Sequence, residues 1–224
     1  RKTSIDHRPS ATAHFGLLNI FKPAGLTSRE AVDRVQRLVR PAKAGHAGTL
    51  DPLATGVLIV CVGKATRLVP LIHHMHKVYR ASFLLGRTSQ TDDTEGIVVE
   101  HPDPPRPTRE QIIATLPEFV GRIEQRPPVY SAVRVGGRRA YKLARQGHDV
   151  EVAPRPVDVH RIDLAAYAYP ELVLEIECGT GTYIRSIGRD LGDSLRCGAV
   201  MSALERTAIG PFTVDSAVPV EGVT

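Results

Sequence analysis

Residues 45–53, Gly-His-Ala-Gly-Thr-Leu-Asp-Pro-Leu, place one carboxylate, Asp51, among apolar neighbours on a backbone bent by glycine and fixed by proline. Such a setting desolvates the acid and aims it from a rigid support, as nucleophilic or general-base chemistry requires. Asp-Pro also initiates ordinary turns, so the loop alone leaves a purely structural role open. Other candidates carry less. His73, His74 and His76 lack an acidic or cysteine partner at a recognisable ligand spacing and read as surface or interface histidines. Asp190 and Asp193 stand at i, i+3 spacing, which a solvated helix face explains.

The elements that must hold this loop are legible on both sides of it. Phe15 to Phe21 reads as a short apolar strand that ends at Lys22-Pro23. Thr27 and Glu30 form a capping box opening a helix, with Ala31, Val32, Val35, Leu38 and Val39 on its apolar face. Arg34, Arg37 and Arg40 lie off that face. Residues 45–56 read as neither helix nor strand, and they feed the all-apolar Val57 to Val62, a central buried strand. Tyr79 to Leu85 reads as another strand, Thr88 to Gly96 as a polar acidic loop, and Pro102 to Pro107 as a connector. Thr108 with Gln111 caps a second helix to about Leu116. In the block 121–150, Pro127-Pro128, a strand-like VYSAVRV, a Gly136-Gly137 turn and a basic helix from Arg138 to Gln146 suggest an appended arm. Glu171 to Cys178 alternates as a half-buried strand. A helix near Thr182 carries Ile184, Ile187, Leu191 and Leu195, with Gly198 beyond its end. Strands and helices do not alternate regularly, so the expected class is α+β.

Composition narrows the possibilities. The chain has 224 residues, 29 Lys plus Arg against 24 Asp plus Glu, and a net charge of +5. The charge is segregated: residues 121–150 hold seven basic and two acidic side chains, and residues 1–50 hold nine and three. Basic blocks on a balanced body suggest a polyanionic partner, nucleic acid first. No apolar run is long enough to span a bilayer, and no membrane partner is expected. Three widely spaced cysteines, Cys61, Cys178 and Cys197, support neither a disulfide framework nor a zinc site and suit a reducing cytoplasm. Residues 1–14 read as a disordered tail.

These residues resemble the TruB family of pseudouridine synthases, whose loop signature reads G-H-x-G-x-L-D-P-x-A-x-G. Four further segments are similar in the same order. They are Leu18 to Gly25 with its Lys-Pro pair, Lys77-Val78-Tyr79-Arg80, Glu124 to Gly147, which resembles an RNA-gripping insertion, and Gly181 to Ser186. Five ordered matches over Phe15 to Pro211 are far more specific than a lone loop.

The resemblance implies a catalytic domain over residues 15–224, with a central mixed, largely antiparallel sheet, flanking helices and an RNA-binding insertion at 121–150. It implies that Asp51 is the catalytic aspartate, that Arg185 pairs with it, and that Tyr79 stacks on a uracil flipped from the RNA. It assigns substrate contacts to His46, Tyr183 and Lys22, with Lys22 shaping the floor, and packing beneath the loop to Leu204. Asp93 aligns with an acidic residue near the loop and is not taken as a second catalytic acid. Arg138, Arg139 and Lys142 would grip phosphates, together with Arg122, Arg126, Arg134 and Arg145 of the arm and Arg34, Arg37, Arg40 and Lys43 of the first block. No metal or cofactor is implied. The expected activity is isomerisation of uridine to pseudouridine in the T-loop of tRNA, by a cytoplasmic monomer. Bacterial members continue into a PUA-type domain, which is expected to be absent here because the sequence stops at Thr224. Two other readings are a guide-RNA-dependent relative within a ribonucleoprotein and a non-catalytic RNA-binding module on the same scaffold.

Overall fold

The computed structural model describes residues 14–222. The expected tail therefore lies, apart from His14, outside the described residues. Strand β1 (Gly16–Lys22) leads to α1 (Ser28–Leu38). The Glu30 amide donates to Thr27 Oγ1 and the Thr27 amide to Glu30 Oε2, which completes the capping box. Ala31, Val32 and Val35 are buried on the sheet, whereas Leu38, in the last turn, is 49% exposed. The chain then forms β2 (Ala44–Ala47) and β3 (Thr55–Val62). The expectation that residues 45–56 avoid regular structure is corrected here. His46 and its neighbours pair antiparallel with Val60 and its neighbours in β3, and only Gly48 to Ala54 is loop.

Helix α2 (Val69–His74) precedes β4 (Lys77–Leu85). A hairpin of β5 (Arg87–Ser89) and β6 (Val98–Glu100) follows, then α3 (Arg109–Thr115) and β7 (Gly121–Gln125). Residues 121–125 pair along the next long strand, so the arm begins at Arg126 and not at Gly121. The arm carries β8 (Arg134–Val135), β9 (Arg138–Arg139) and α4 (Ala140–Arg145). Strands β10 (Arg155–Ala168) and β11 (Glu171–Cys178) form a long hairpin, and α5 (Ile184–Ser194) leads into β12 (Ala199–Ile209). Short strands β13 (Phe212–Thr213) and β14 (Val218–Pro219) close the described chain.

The main sheet runs β14-β1-β3-β12-β4-β11-β10-β7, with β2 on β3 and β13 on β12. Among the described residues only the β1–β14 and β3–β12 pairs of this sheet are parallel, so the sheet is mixed and largely antiparallel, and the class is α+β. Strand β3 is buried on both faces. Leu58, Val60 and Val62 pack with α1 and Ile20, while Val57, Ile59 and Cys61 pack with Ala47, Ile72 and Ile209. The largest core joins Tyr79, Ala81, Phe83 and Leu85 of β4 to Leu172, Leu174 and Ile176 of β11 and to Ile184, Ile187 and Leu191 of α5. Each of the leucine, isoleucine and phenylalanine side chains contributes about 1.5–3 kcal/mol on burial. Gly188 lets α5 settle directly on β4, since a Cβ there would lie 2.2 Å from the Phe83 ring. That close seat fixes the height of Arg185 above the sheet.

Candidate active site

The loop between β2 and β3 is held at nearly every residue. Gly48 takes a positive φ of 90°, which suits a residue without Cβ. The buried Ser28 hydroxyl accepts from the Leu50 amide at 2.8 Å and donates to the Leu50 carbonyl at 3.0 Å. The Gly25 amide donates to the Pro52 carbonyl at 2.8 Å, and the Ala54 amide to that of Asp51 at 3.0 Å. Arg206, 1% exposed, donates from Nε to Val57 O at 2.8 Å and from its terminal nitrogens to Gly48 O at 3.1 Å and Thr49 O at 3.4 Å. Asp51 thus projects from a rigid turn.

Its side chain is 38% exposed, and one oxygen, Oδ2, meets the Arg185 guanidinium at 3.1 Å. Among the described residues Oδ1 has no hydrogen-bond partner, so one oxygen is held and the other is open to the cleft. Arg185, itself 6% exposed, also meets Asp93 Oδ2 at 3.2 Å and donates to the Thr91 carbonyl at 2.7 Å. Asp93 is seated by a bridge to Met201 of β12 and by the Glu95 amide. The stretch read as a polar loop is therefore pinned down, with Asp92 and Asp93 buried. Asp93 acts as a counter-ion to Arg185 and not as a second open acid.

Asp51 opens into a cleft of about 250 Å³ whose walls include Lys77, Tyr79, Tyr183, Arg185, Leu204 and Arg206. Tyr79 comes from β4, and burial pushes its phenol pKa up, with the Arg206 charge pulling the other way. Tyr183 stands at the start of α5. Its amide donates to Gln125 Oε1 at 2.8 Å, and its ring carries the Arg155 guanidinium at 5.2 Å from the centroid. Leu204 and Arg206 come from β12.

The structure thus brings together Asp51, Arg185, Tyr79, Tyr183 and Leu204. It places other expected residues elsewhere. Lys22 is fully buried behind the loop, its ammonium donating to the carbonyls of Pro23, Leu26 and Pro52 at 2.7, 2.6 and 3.4 Å. It braces the loop from behind and is not among the cleft walls. Burial lowers its pKa to about 8. His46 is half-buried on β2 and does not line the cleft, and desolvation together with the Arg206 charge lowers its pKa. Arg138, Arg139 and Lys142 are exposed on the arm, away from the cleft walls, to which the arm contributes only Ser131 and Ala132. In the first basic block, Ser28 marks the end of α1 at the loop, so Arg37 stands about 14 Å further along the axis.

Lys77, Gln125, Arg155 and Arg206 escaped sequence reading as site residues. The signal for Arg206 lies in Leu204-Glu205-Arg206, an inward-facing cation on the alternating segment that forms β12. Among the described residues no cluster of His, Cys, Asp and Glu gathers to hold a metal, and no helix is long and apolar enough to cross a membrane.

Comparison with known proteins extends this geometry. Residues 36–184 match the family model described as TruB family pseudouridylate synthase, N-terminal domain, and residues 185–224 that of the tRNA pseudouridylate synthase B C-terminal domain. A tRNA pseudouridine synthase B of Nitrobacter winogradskyi is 48% identical over 92% of this chain and 58% of its own length. One of Xanthomonas campestris pv. campestris is 44% identical over 93% of this chain and 68% of its own length. The chain thus spans roughly three fifths to two thirds of these relatives. Among solved structures, a Cbf5-Nop10-Gar1 complex matches with TM-score 0.72 and 32% identity over 92% of this chain and 53% of that chain. An H/ACA RNP bound to a substrate RNA containing 2′-deoxyuridine matches with TM-score 0.69 and 29% identity, covering 92% of this chain and 51% of that chain.

Proposed function

The chain belongs to the TruB family of pseudouridylate synthases, and we propose that it isomerises uridine to pseudouridine in the T-loop of tRNA, at position 55. The observation that carries the reading is Asp51, held through one oxygen by a buried guanidinium while the other faces the cleft. In this reading a uridine flips out of the RNA and its ring lies against Tyr79. The free Asp51 oxygen works on the sugar, by attack at C1′ or by removal of the C2′ proton, and the C1′–N1 bond breaks. The base turns and C5 bonds to C1′ as the Asp51–C1′ bond breaks or, on the second route, as Asp51 returns the proton to C2′; C5 then loses its proton and N1 gains one. Atoms and electrons balance without an oxidant or co-reactant. Arg185 fixes the carboxylate, while Asp93 balances its charge.

The arm grips the T-arm of the tRNA through Arg138, Arg139 and Lys142, and the protein works as a cytoplasmic monomer. Three buried free cysteines suit a reducing compartment. The higher identity to relatives named for tRNA favours tRNA over a guided substrate.

The test is incubation of the purified chain with unmodified tRNA and chemical mapping of pseudouridine. Activity without guide RNA is expected, and Asp51→Asn should lower the single-turnover rate by roughly 10⁴-fold without moving the melting temperature. Undiminished activity of Asp51→Asn sinks the assignment of Asp51. Activity that appears only with added guide RNA turns the reading toward a ribonucleoprotein enzyme.

A further inference from the structure

Two buried cations in the cleft have no ion-pair partner among the described residues. Lys77, at the start of β4, is 4% exposed, and its ammonium makes one hydrogen bond among those residues, to the His73 carbonyl. Arg206 reaches in from β12 and donates to backbone carbonyls of β3 and the Asp51 loop. A buried charge without a counter-charge is costly unless something in the working state answers it. The remaining charges do not answer it, because Asp51 and Asp93 both meet Arg185. Among the described residues three cations, Lys77, Arg185 and Arg206, line the cleft with one carboxylate, Asp51, while Asp93, Glu95 and Lys22 stand behind its walls.

The position of Lys77 indicates which anion it meets. Lys77 and Tyr79 are two residues apart on β4 and share one face of the sheet. Arg206 is the register partner of Tyr79 across β12. The ammonium therefore lines the same cleft as the ring on which the base would lie.

We propose that Lys77, backed by Arg206, is a catalytic residue that receives the negative charge of the detached base. The proposal rests on the pseudouridine synthase reading above. When the C1′–N1 bond breaks, its electron pair leaves with the ring and spreads onto O2 and O4. Both Asp51 routes, attack at C1′ and loss of the C2′ proton, place the pair there. The remaining Lys77 N–H groups donate to an oxygen that carries it. The pair returns from C5 to C1′ as the new bond forms, with Asp51 leaving C1′ or returning the C2′ proton, the C5 proton leaves to water and N1 takes one up. The excess positive charge of the empty cleft is thus neutralised at the step where the base is free.

Burial lowers the Lys77 pKa to about 8, with the Arg206 charge adding to the effect and Cys178, its register partner on β11, opposing it. From α2 it faces His73 and His74, and Lys22, behind the loop, titrates at about 8 as well. The ammonium required by the proposal is present below pH 8 and lost above it.

The experiment follows single-turnover pseudouridine formation at saturating tRNA from pH 6 to 9.5, with tRNA affinity measured in parallel. Wild type should lose rate above about pH 8. Lys77→Met should be about 100-fold slower at pH 7, lack that alkaline loss, and bind tRNA within twofold of wild type. If Lys77→Met does not fold, Lys77→Arg should keep the rate and carry the alkaline loss beyond pH 9.5. A Lys77→Met rate within threefold of wild type overturns the proposal. So does weakened tRNA binding at unchanged rate, which would make Lys77 a phosphate contact. An alkaline loss that persists in Lys77→Met belongs to Lys22 and also overturns it. An inactive wild type overturns the function and this role together, whereas an active wild type with a fast Lys77→Met variant removes this role alone.

Discussion

The cleft and the arm both carry positive charge, and they hold it in opposite ways. Around Asp51, Arg185 and Arg206 are buried and each guanidinium is aimed at named carbonyls or carboxylates. On the arm, Arg138, Arg139, Lys142 and Arg145 stand in solvent. Their local contacts are slight: Arg138 donates to Gln146 at 2.7 Å, and Arg145 lies 5.7 Å from the Tyr141 ring centroid. The arm has its own small core of Ala140, Val150 and Val152, and α5 ties its root to the body through Ser186 and Arg189, which donate to the Arg126 carbonyl. Chemistry needs a charge fixed to a fraction of an ångström, so its cations are buried and over-determined. In the proposed function the arm captures a polyanion, which needs only field and reach, and its cations stay solvated.

The largest test of this contrast uses one substitution in both regions. Gly56 has φ +102°, and a Cβ there would lie 2.3 Å from the Arg206 carbonyl oxygen. Gly137, in the arm turn, has φ +79° and nothing within 4 Å of a Cβ. Both alanine variants carry backbone strain, but only the first also collides. Gly56→Ala should lower stability to urea by about 3 kcal/mol or more, and Gly137→Ala by about 1 kcal/mol. Equal losses would mean that the arm packs as tightly as the sheet.

What the sequence made legible divides along the same line. Local chemistry was readable: both capping boxes, the alternation of Glu171 to Cys178 and the run Val57 to Val62 appear where their patterns place them, and the bent loop around Asp51 does so in its centre, Gly48 to Ala54. Long-range pairing was not. The period of residues 155–168 is broken by bulges at Val159/Arg161 and Leu164/Ala166, and β12 interrupts its apolar pattern with Arg206. With β12 unread, nothing indicated that Arg206 reaches under Gly48, 158 residues away in sequence. Lys22 was legible as a motif residue, but only the fold shows its ammonium capping three carbonyls behind the loop.

A second test reverses charge on the arm. Arg138→Glu with Arg139→Glu removes two exposed cations that touch no cleft wall. Affinity for tRNA should fall about tenfold or more, and the slope of log affinity against log salt should become shallower by about 2. The single-turnover rate at saturating tRNA should stay within twofold of wild type. A rate that falls with the affinity would show that the two regions are not separable, with Arg185, which also donates to the Tyr130 carbonyl at 3.4 Å, as the link.

The smallest expected effect asks whether the arm opens by itself. Val152, 3% exposed, closes the arm core against Ala140 and Val150, with Val133, Val135 and Leu143 around it. None of these side chains belongs to the clusters that hold the sheet. Val152→Ala removes two methyl groups from that core, worth about 1.5 kcal/mol. If the arm is a separate cooperative unit, this loss stays local. Amide exchange over residues 129–152 should then speed up by about tenfold, the factor that roughly 1.4 kcal/mol sets at 25 °C. The main urea transition and the amides of β3 and β4 should stay unchanged. Exchange that quickens in β3 as well would join the arm to the global unit, and the contrast between fixed and solvated charge would then be one of exposure alone.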